Sequence, residues 1–210
     1  DNTTISWCKF TYLKPAKAGG PGGADDHRFT NLVGSSKSDF PADGHYSITF
    51  QNCYWAEGCK ERMPRARNAE LHLLNCYYNT TVSGSLAIGL GGGNNNTTCY
   101  VENTNFANIA SVYRNYNSTD GGTVGIIFDG CMNGSANVGS VSKPSYAYTV
   151  LPVADVAAAV ANGNCGAGAT LNVTAEGVIS SGCAALGQYE FMLSKVLFYP
   201  TLVDSTLTVE

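Results

Sequence analysis

The 210 residues carry little charge: 12 Lys and Arg, 16 Asp and Glu, 13% in all, for a net charge of −4. That shortage excludes the basic face a nucleic-acid partner requires. No run of 18 apolar residues occurs, so no transmembrane helix and no membrane partner are expected. The opening Asp1-Asn2-Thr3-Thr4 lacks the cationic and apolar regions of a secretory signal, so an exported protein would have lost its signal or carry it outside this sequence. Lys and Glu are scarce, whereas Gly (24 residues), Asn and Thr are abundant, which favours strands and turns over helices. The length suffices for one sizeable domain with its own core.

Eight Cys is a high number for a cytosolic protein and points to a secreted or cell-surface location, with disulfides among some of the eight. The alternative is buried free thiols, since Cys is among the most buried residue types. Asn-X-Ser/Thr sequons at Asn2, Asn79, Asn95, Asn96, Asn117, Asn133 and Asn172 make a glycoprotein if the host modifies them.

Five segments align with one another: Thr4–Phe10, Ile48–Trp55, Leu71–Tyr78, Tyr100–Phe106 and Ile126–Met132. Each has a short alternating apolar run, usually a polar turn residue, and a second short run. The later segments recur about every two dozen residues, whereas the first interval holds the Gly/Pro insert Ala18–Gly23. Repeats of this kind predict an all-β solenoid whose coils stack into a continuous core with parallel strand pairing. Stacking places Asn52, Asn75 and Asn103 in an Asn ladder, each amide bonding the next coil. Cys8, Cys53, Cys76 and Cys131 follow as a file of small buried side chains, with Thr104 in the gap. Phe10, Trp55, Tyr78 and Phe106 stack two positions later. Off the ladder, Cys59 is a candidate partner for Cys53, and Cys165 for Cys183. Val153–Val160 has helical spacing and high Ala content and is stopped by Gly163 and Gly166, which predicts one short helix on or near the C-terminal coils. The expected organisation is a β-helix over 1–168 and a strand-rich C-terminal tail over 169–210.

Four pieces, in order, resemble polysaccharide lyase family 1, the pectate lyases: Thr4-Ile5-Ser6-Trp7-Cys8-Lys9-Phe10, the segment from His27 to Gly34 with Ser35-Ser36, Arg62-Met63-Pro64-Arg65-Ala66-Arg67, and Leu71-His72-Leu73-Leu74-Asn75-Cys76-Tyr77-Tyr78. The third matches the family's R-x-P-x-x-R motif. Weaker similarity continues through Val101-Glu102-Asn103 and the Asp155 helix to Gly163–Gly168. The resemblance implies a right-handed parallel β-helix, incomplete at its N-terminal end, because the family's upstream calcium carboxylates would precede Asp1. At the other end, Val196-Leu197-Phe198-Tyr199-Pro200-Thr201, continuing to Val209, resembles the opening of a type IX secretion sorting domain.

The resemblance further implies cleavage of polygalacturonate, an acidic polysaccharide, by β-elimination. A base removes the C5 proton of a uronate, the C4–O bond breaks, and Ca²⁺ on the uronate carboxylate stabilises the developing charge. Arg62 matches the catalytic base. Arg67 matches the second arginine, which binds substrate carboxylates, and Arg65, which shares a strand face with Arg67 by alternation, is a further candidate substrate-binding residue. The family's substrate-binding lysine aligns near Phe29, and the adjacent Arg28 is the candidate substitute. The Ca²⁺ ligands are expected mostly upstream of this chain, and no metal ligand is assigned here. Asp25-Asp26-His27 reads as a solvated turn, His72 as a ladder residue, and Gly91–Asn96 as a flexible turn that lacks the Lys-Ser/Thr of a phosphate loop.

Two non-enzymatic readings stand beside this one. Unpaired strands at an open coil end invite end-to-end self-association, which would make the chain a subunit of an extracellular filament or surface assembly. A non-catalytic glycan-binding module would use the same arginines as a basic patch.

Overall fold

In the computed structural model the described residues are 2–20 and 25–169, together with 172–173 and 179–180. The chain winds as a parallel β-helix with three faces. The first sheet contains β1 (Thr3–Ser6), β4 (Tyr46–Gln51), β7 (Ala69–Leu74), β10 (Thr97–Glu102) and β13 (Val124–Asp129) in that order. The second stacks β2 (Lys9–Phe10), β5 (Tyr54–Trp55), β8 (Tyr77–Asn79) and β11 (Asn105–Asn108). The third stacks β3 (Leu32–Val33), β6 (Arg65–Ala66), β9 (Leu86–Leu90) and β12 (Ser111–Asn115). Every neighbouring pair within these three sheets is parallel, as a coil that revisits each face requires.

The register shows why this sequence coils. Ile5, Phe50, Leu73, Val101 and Phe128 form one inward row of the first sheet, and Thr4, Thr49, His72, Tyr100 and Ile127 form the outward row beside it. The first and second sheets meet at a single left-handed residue in each coil: Trp7 (φ 54), Asn52 (φ 54), Asn75 (φ 52), Asn103 (φ 42) and Gly130 (φ 61). Asn and Gly tolerate that conformation, which costs other residues about 1–2 kcal/mol. The three asparagines therefore superpose as the repeat predicts, but their amides do not link coil to coil. Backbone bonds do that, Asn52 N–H to Leu74 O (2.9 Å), Asn75 N–H to Glu102 O (3.0 Å) and Asn103 N–H to Asp129 O (2.9 Å). The side chains of Asn75 and Asn103 reach outward instead. Asn75 Nδ2 donates to Thr149 O (3.0 Å) and its Oδ1 accepts from Leu151 N–H (3.0 Å), while Asn103 Nδ2 donates to Leu151 O (2.6 Å).

One step later the cysteines line up with reduced thiols. Cys53 Sγ donates to Ile5 O (3.3 Å), Cys76 Sγ to Phe50 O (3.3 Å) and Cys131 Sγ to Val101 O (3.4 Å), so each thiol satisfies a carbonyl of a neighbouring coil. Thr104 Oγ1 fills the gap and donates to Glu102 O. Cys53 and Cys59 are both free, which corrects the expected pairing; Cys59 Sγ donates to Phe10 O at 3.2 Å. Cys165 is disulfide-bonded. Its expected partner Cys183 lies outside the described residues, as does the 196–209 segment that resembles a sorting domain.

The aromatic file is continuous. Ring centroids are 5.3 Å apart for Phe10–Trp55, 4.6 Å for Trp55–Tyr78 and 4.7 Å for Tyr78–Phe106, all stacked. The predicted helix is α2 (Val153–Val160), which buries Val156, Ala159 and Val160 and packs beside β8 and β11. A one-turn helix, α1 (Asn117–Asp120), follows β12. The chain divides into two compact units, Asp1–Thr170 and Leu171–Glu210. In the second, β14 (Asn172–Val173) and β15 (Ile179–Ser180) pair antiparallel. Among the described residues, no helix is long and apolar enough to cross a membrane.

Candidate functional site

The third sheet positions the arginines. Leu32, Arg65 and Gly89 share one register row, and Val33, Ala66 and Leu90 share the next. Val33, Ala66 and Leu90 are buried in the hydrophobic core, so the Leu32–Arg65–Gly89 row faces outward. Gly89 leaves the space over which Arg65 lies: a Cβ there would come 3.0 Å from Arg65 Cδ and 2.9 Å from Tyr116 Cε2. The Arg65 guanidinium sits 3.8 Å from the Tyr116 ring centroid and pairs with Asp120 Oδ2, and its residue is only 8% exposed. Burial lowers its pKa, against the opposing pull of Asp120.

Arg67, just after β6, meets the same carboxylate: its Nε lies 3.1 Å from Asp120 Oδ1, and its Nη1 donates to Gly34 O at 3.0 Å. Alternation thus does bring Arg65 and Arg67 to one anchor. Asp120 itself was not legible as a site residue, because only the folded coils bring position 120 to positions 65 and 67. The glycine run is likewise close-packed and not an open, flexible turn. A Cβ on Gly91 would meet Asp120 Oδ2 at 2.1 Å, and Asn117 Oδ1 accepts from Gly92 N–H at 3.0 Å.

Arg62 ends the loop that leads into β6. It adopts a left-handed φ of 61° and precedes the cis Met63–Pro64 peptide. Its carbonyl accepts from Asn31 N–H (2.7 Å) and from the Thr30 hydroxyl, while Met63 N–H donates to Ala87 O (2.8 Å). Neighbouring coils therefore hold a conformation that a non-glycine residue adopts only under constraint, a feature that clusters at functional sites. The Arg62 guanidinium lies 4.4 Å from the centroid of Phe29, the position where the family's lysine aligns.

Arg28 stands on the adjacent coil, where its Nε and Nη2 donate to the two oxygens of Asp26 at 2.8 and 2.7 Å. Lys60 Nζ approaches the same carboxylate at 3.3 Å. These partners, Arg28 first, hold the Asp26 carboxyl well below the usual carboxylate range. The Asp25-Asp26-His27 segment is thus tied down by an ion pair. Among the described residues, no group of three or more His, Cys, Asp or Glu side chains stands ready for a metal ion. The carboxylates nearest the arginines, Asp26 and Asp120, are both engaged by cations. The donors present here do not fit a Ca²⁺ site, which needs several free oxygen ligands.

His72 lies away from this wall, on the outward row of the first sheet. It is covered by the irregular segment 139–151, which forms a strap over that sheet. Its Nδ1 meets Tyr146 Oη at 2.5 Å and its Nε2 faces Glu102 Oε2 at 3.5 Å. Glu102 accepts from Tyr148 Oη at 2.8 Å and pairs with Lys143. Burial lowers the His72 pKa, opposed by Glu102. The imidazole is one part of the clamp that fastens the strap.

No family model matches the chain. Pectate trisaccharide-lyases of Thermotoga maritima and of another Thermotoga strain are each 35% identical over 89 residues, a stretch that is 40% of this chain and 20% of the relatives. Among solved structures, jun a 1, the major allergen from cedar pollen, superposes with a TM-score of 0.53 at 20% identity, over 74% of this chain and 44% of that one. A thermostable pectate lyase gives 0.50 at 20% identity, over 80% of this chain and 42% of its own. At such identity the likeness is one of fold. The chain spans less than half of either structure.

Proposed function

We propose that this chain carries the arginine wall of a secreted, pectate-lyase-like enzyme that cleaves polygalacturonate by β-elimination. The observation that supports it is the treatment of Arg62: a left-handed residue whose carbonyl is held by Asn31 and Thr30 of the preceding coil and whose guanidinium is seated on Phe29. In this reading Arg62 takes the C5 proton of a uronate. The guanidinium accepts that proton in its neutral form, the C5–H electrons form the C4–C5 double bond, and the C4–O electrons leave with the other half of the chain, whose oxygen takes a proton from water. Arg67 meets a substrate carboxylate, and Arg28, paired with Asp26 through Nε and Nη2, is the candidate contact for the neighbouring sugar. Arg65 is closed in by Tyr116 and Asp120, so its part is to support Arg67. Calcium assistance would draw on carboxylates other than Asp26 and Asp120, and no step here runs through it.

The test is the absorbance of the unsaturated product from polygalacturonate at alkaline pH, with and without Ca²⁺, using the full protein. Arg62→Ala is expected to abolish the signal, on the order of a thousandfold or more for loss of a general base that acts directly on the substrate. Wild-type turnover in Arg62→Ala removes Arg62 from the chemistry.

A further inference from the structure

We infer that Asp120 is the positioning residue that holds Arg67 in place for a substrate carboxylate, an inference that rests on the lyase reading above. One carboxylate contacts two arginines that both come from the R-x-P-x-x-R segment: Oδ2 meets Arg65 Nη2 and Oδ1 lies 3.1 Å from Arg67 Nε. Asp120 is only 7% exposed, so its charge is little screened where it is hydrogen-bonded to Arg65 and in charge contact with Arg67. Its seat is shaped around it. Gly91 has no side chain where a Cβ would stand 2.1 Å from Asp120 Oδ2, and Asp120 N–H donates to Tyr116 O at 2.9 Å. The helix that carries it is tied to the glycine run by Asn117 Oδ1 and Gly92 N–H.

Two consequences follow for the wall. Asp120 neutralises Arg65, which otherwise would be a buried cation repelling Arg67 from two residues away. It also places a carboxylate charge 3.1 Å from Arg67 Nε, a contact without hydrogen-bond geometry, while Gly34 O accepts from Nη1. Held by the Asp120 charge and the Gly34 carbonyl, the Arg67 side chain stays 17% exposed. A guanidinium binds carboxylates through a planar fork, so its orientation decides whether two parallel bonds can form. Asp120 thereby acts on substrate binding through Arg67, with no contact of its own to the reacting atoms.

The experiment compares Asp120→Asn and Asp120→Glu with the wild type on polygalacturonate, in the wild-type and Arg67→Ala backgrounds. Asp120→Asn is expected to raise KM by about ten- to a hundredfold, the range seen when a residue that orients a ligand-binding group is replaced, with a much smaller change in kcat. Asp120→Glu restores part of the loss. In Arg67→Ala the same change adds little. A KM that is unchanged, or that rises equally without Arg67, overturns the inference.

A second readout stands whether or not the protein turns over this substrate. Phenylglyoxal labelling of the folded variants, read by peptide mass spectrometry, is expected to modify Arg65 and Arg67 several times faster in Asp120→Asn, with Arg62 unchanged. Equal labelling in wild type and variant overturns the positioning role. Absence of product from the wild type, with the labelling difference intact, sinks the lyase reading and leaves Asp120 as the anchor of the two arginines.

Discussion

Asn52 and Asn75 occupy the same position on successive coils, with the same left-handed backbone and opposite surroundings, which makes them a controlled pair. Asn75 has both ends of its amide bonded to the strap, at 3.0 Å to Thr149 O and 3.0 Å from Leu151 N–H. Asn52 has a buried Oδ1 with no hydrogen-bond partner. In Asn75→Ala two hydrogen bonds disappear and the N–H of buried Leu151 is left without its acceptor, a loss of about 1–3 kcal/mol. Placing alanine at φ 52 adds about 1–2 kcal/mol. The total is about 3 kcal/mol, which for a domain of this size lowers Tm by roughly 10 °C. In Asn52→Ala only the backbone contribution remains, about 1 kcal/mol. Glycine separates the two parts. Asn75→Gly relieves the backbone and keeps the side-chain loss, whereas Asn52→Gly is close to neutral. Urea and thermal unfolding of the four variants, followed by far-UV circular dichroism, measure these differences. Equal destabilisation by Asn52→Ala and Asn75→Ala would refute the reasoning, because it would mean that the amides act between coils and not on the strap.

The buried thiols make stability fall at high pH. Burial pushes Cys53 and Cys59 up to about 12 and Cys131 up to about 11 from an ordinary 9.0. A raised folded pKa means that the contribution is complete below pH 9 and is lost as pH rises through that interval. The urea midpoint should therefore drop between pH 9 and 11, less so in Cys53→Val, and iodoacetamide at pH 8 should leave Cys53 unmodified in the folded protein; labelling at the rate of an unfolded peptide would contradict the burial. Gly91→Ala forces a methyl group against Asp120, so it should lower both Tm and the affinity for polygalacturonate, on the order of 1–3 kcal/mol for overpacking at a filled site. A Gly91→Ala variant with wild-type stability would show that the seat of Asp120 is not tight.

The coil was legible because its signals are local and periodic. Alternation, a left-handed Asn at the turn and an aromatic two or three residues later recur within a span of eight residues. Parallel stacking then forces equivalent positions together, so the file from Phe10 through Trp55 and Tyr78 to Phe106 could be written from the sequence alone. What the asparagine side chains do was not legible. Their partners Thr149 and Leu151 lie about 50 to 75 residues away, in a segment with no repeat of its own. The same distance hid Asp120 from the Arg65–Arg67 pair, and a run of glycines that reads as slack chain is in fact the space into which that carboxylate fits.

The two outer faces differ in what the sequence lays over them. On the first sheet, the outward His72 and Glu102 are covered by the strap through Tyr146, Tyr148 and Lys143, so the polar groups there are consumed in holding the chain together. On the third sheet, no comparable strap crosses the arginines among the described residues. Arg65 is neutralised from beneath by Asp120, and Arg28 by Asp26. Arg62 rests on Phe29, and exposed Arg114, in register with Gly89, lies beside the Tyr116 ring, while Arg67 keeps its contact to Asp120. Attraction of a polyanion at a distance depends on net charge and not on orientation. Pairing Arg65 with Asp120 and Arg28 with Asp26 lowers the net charge of this face. On the proposed lyase reading, the arginines held here would place a uronate carboxylate beside Arg62, whereas a basic patch would bind polygalacturonate with no unsaturated product.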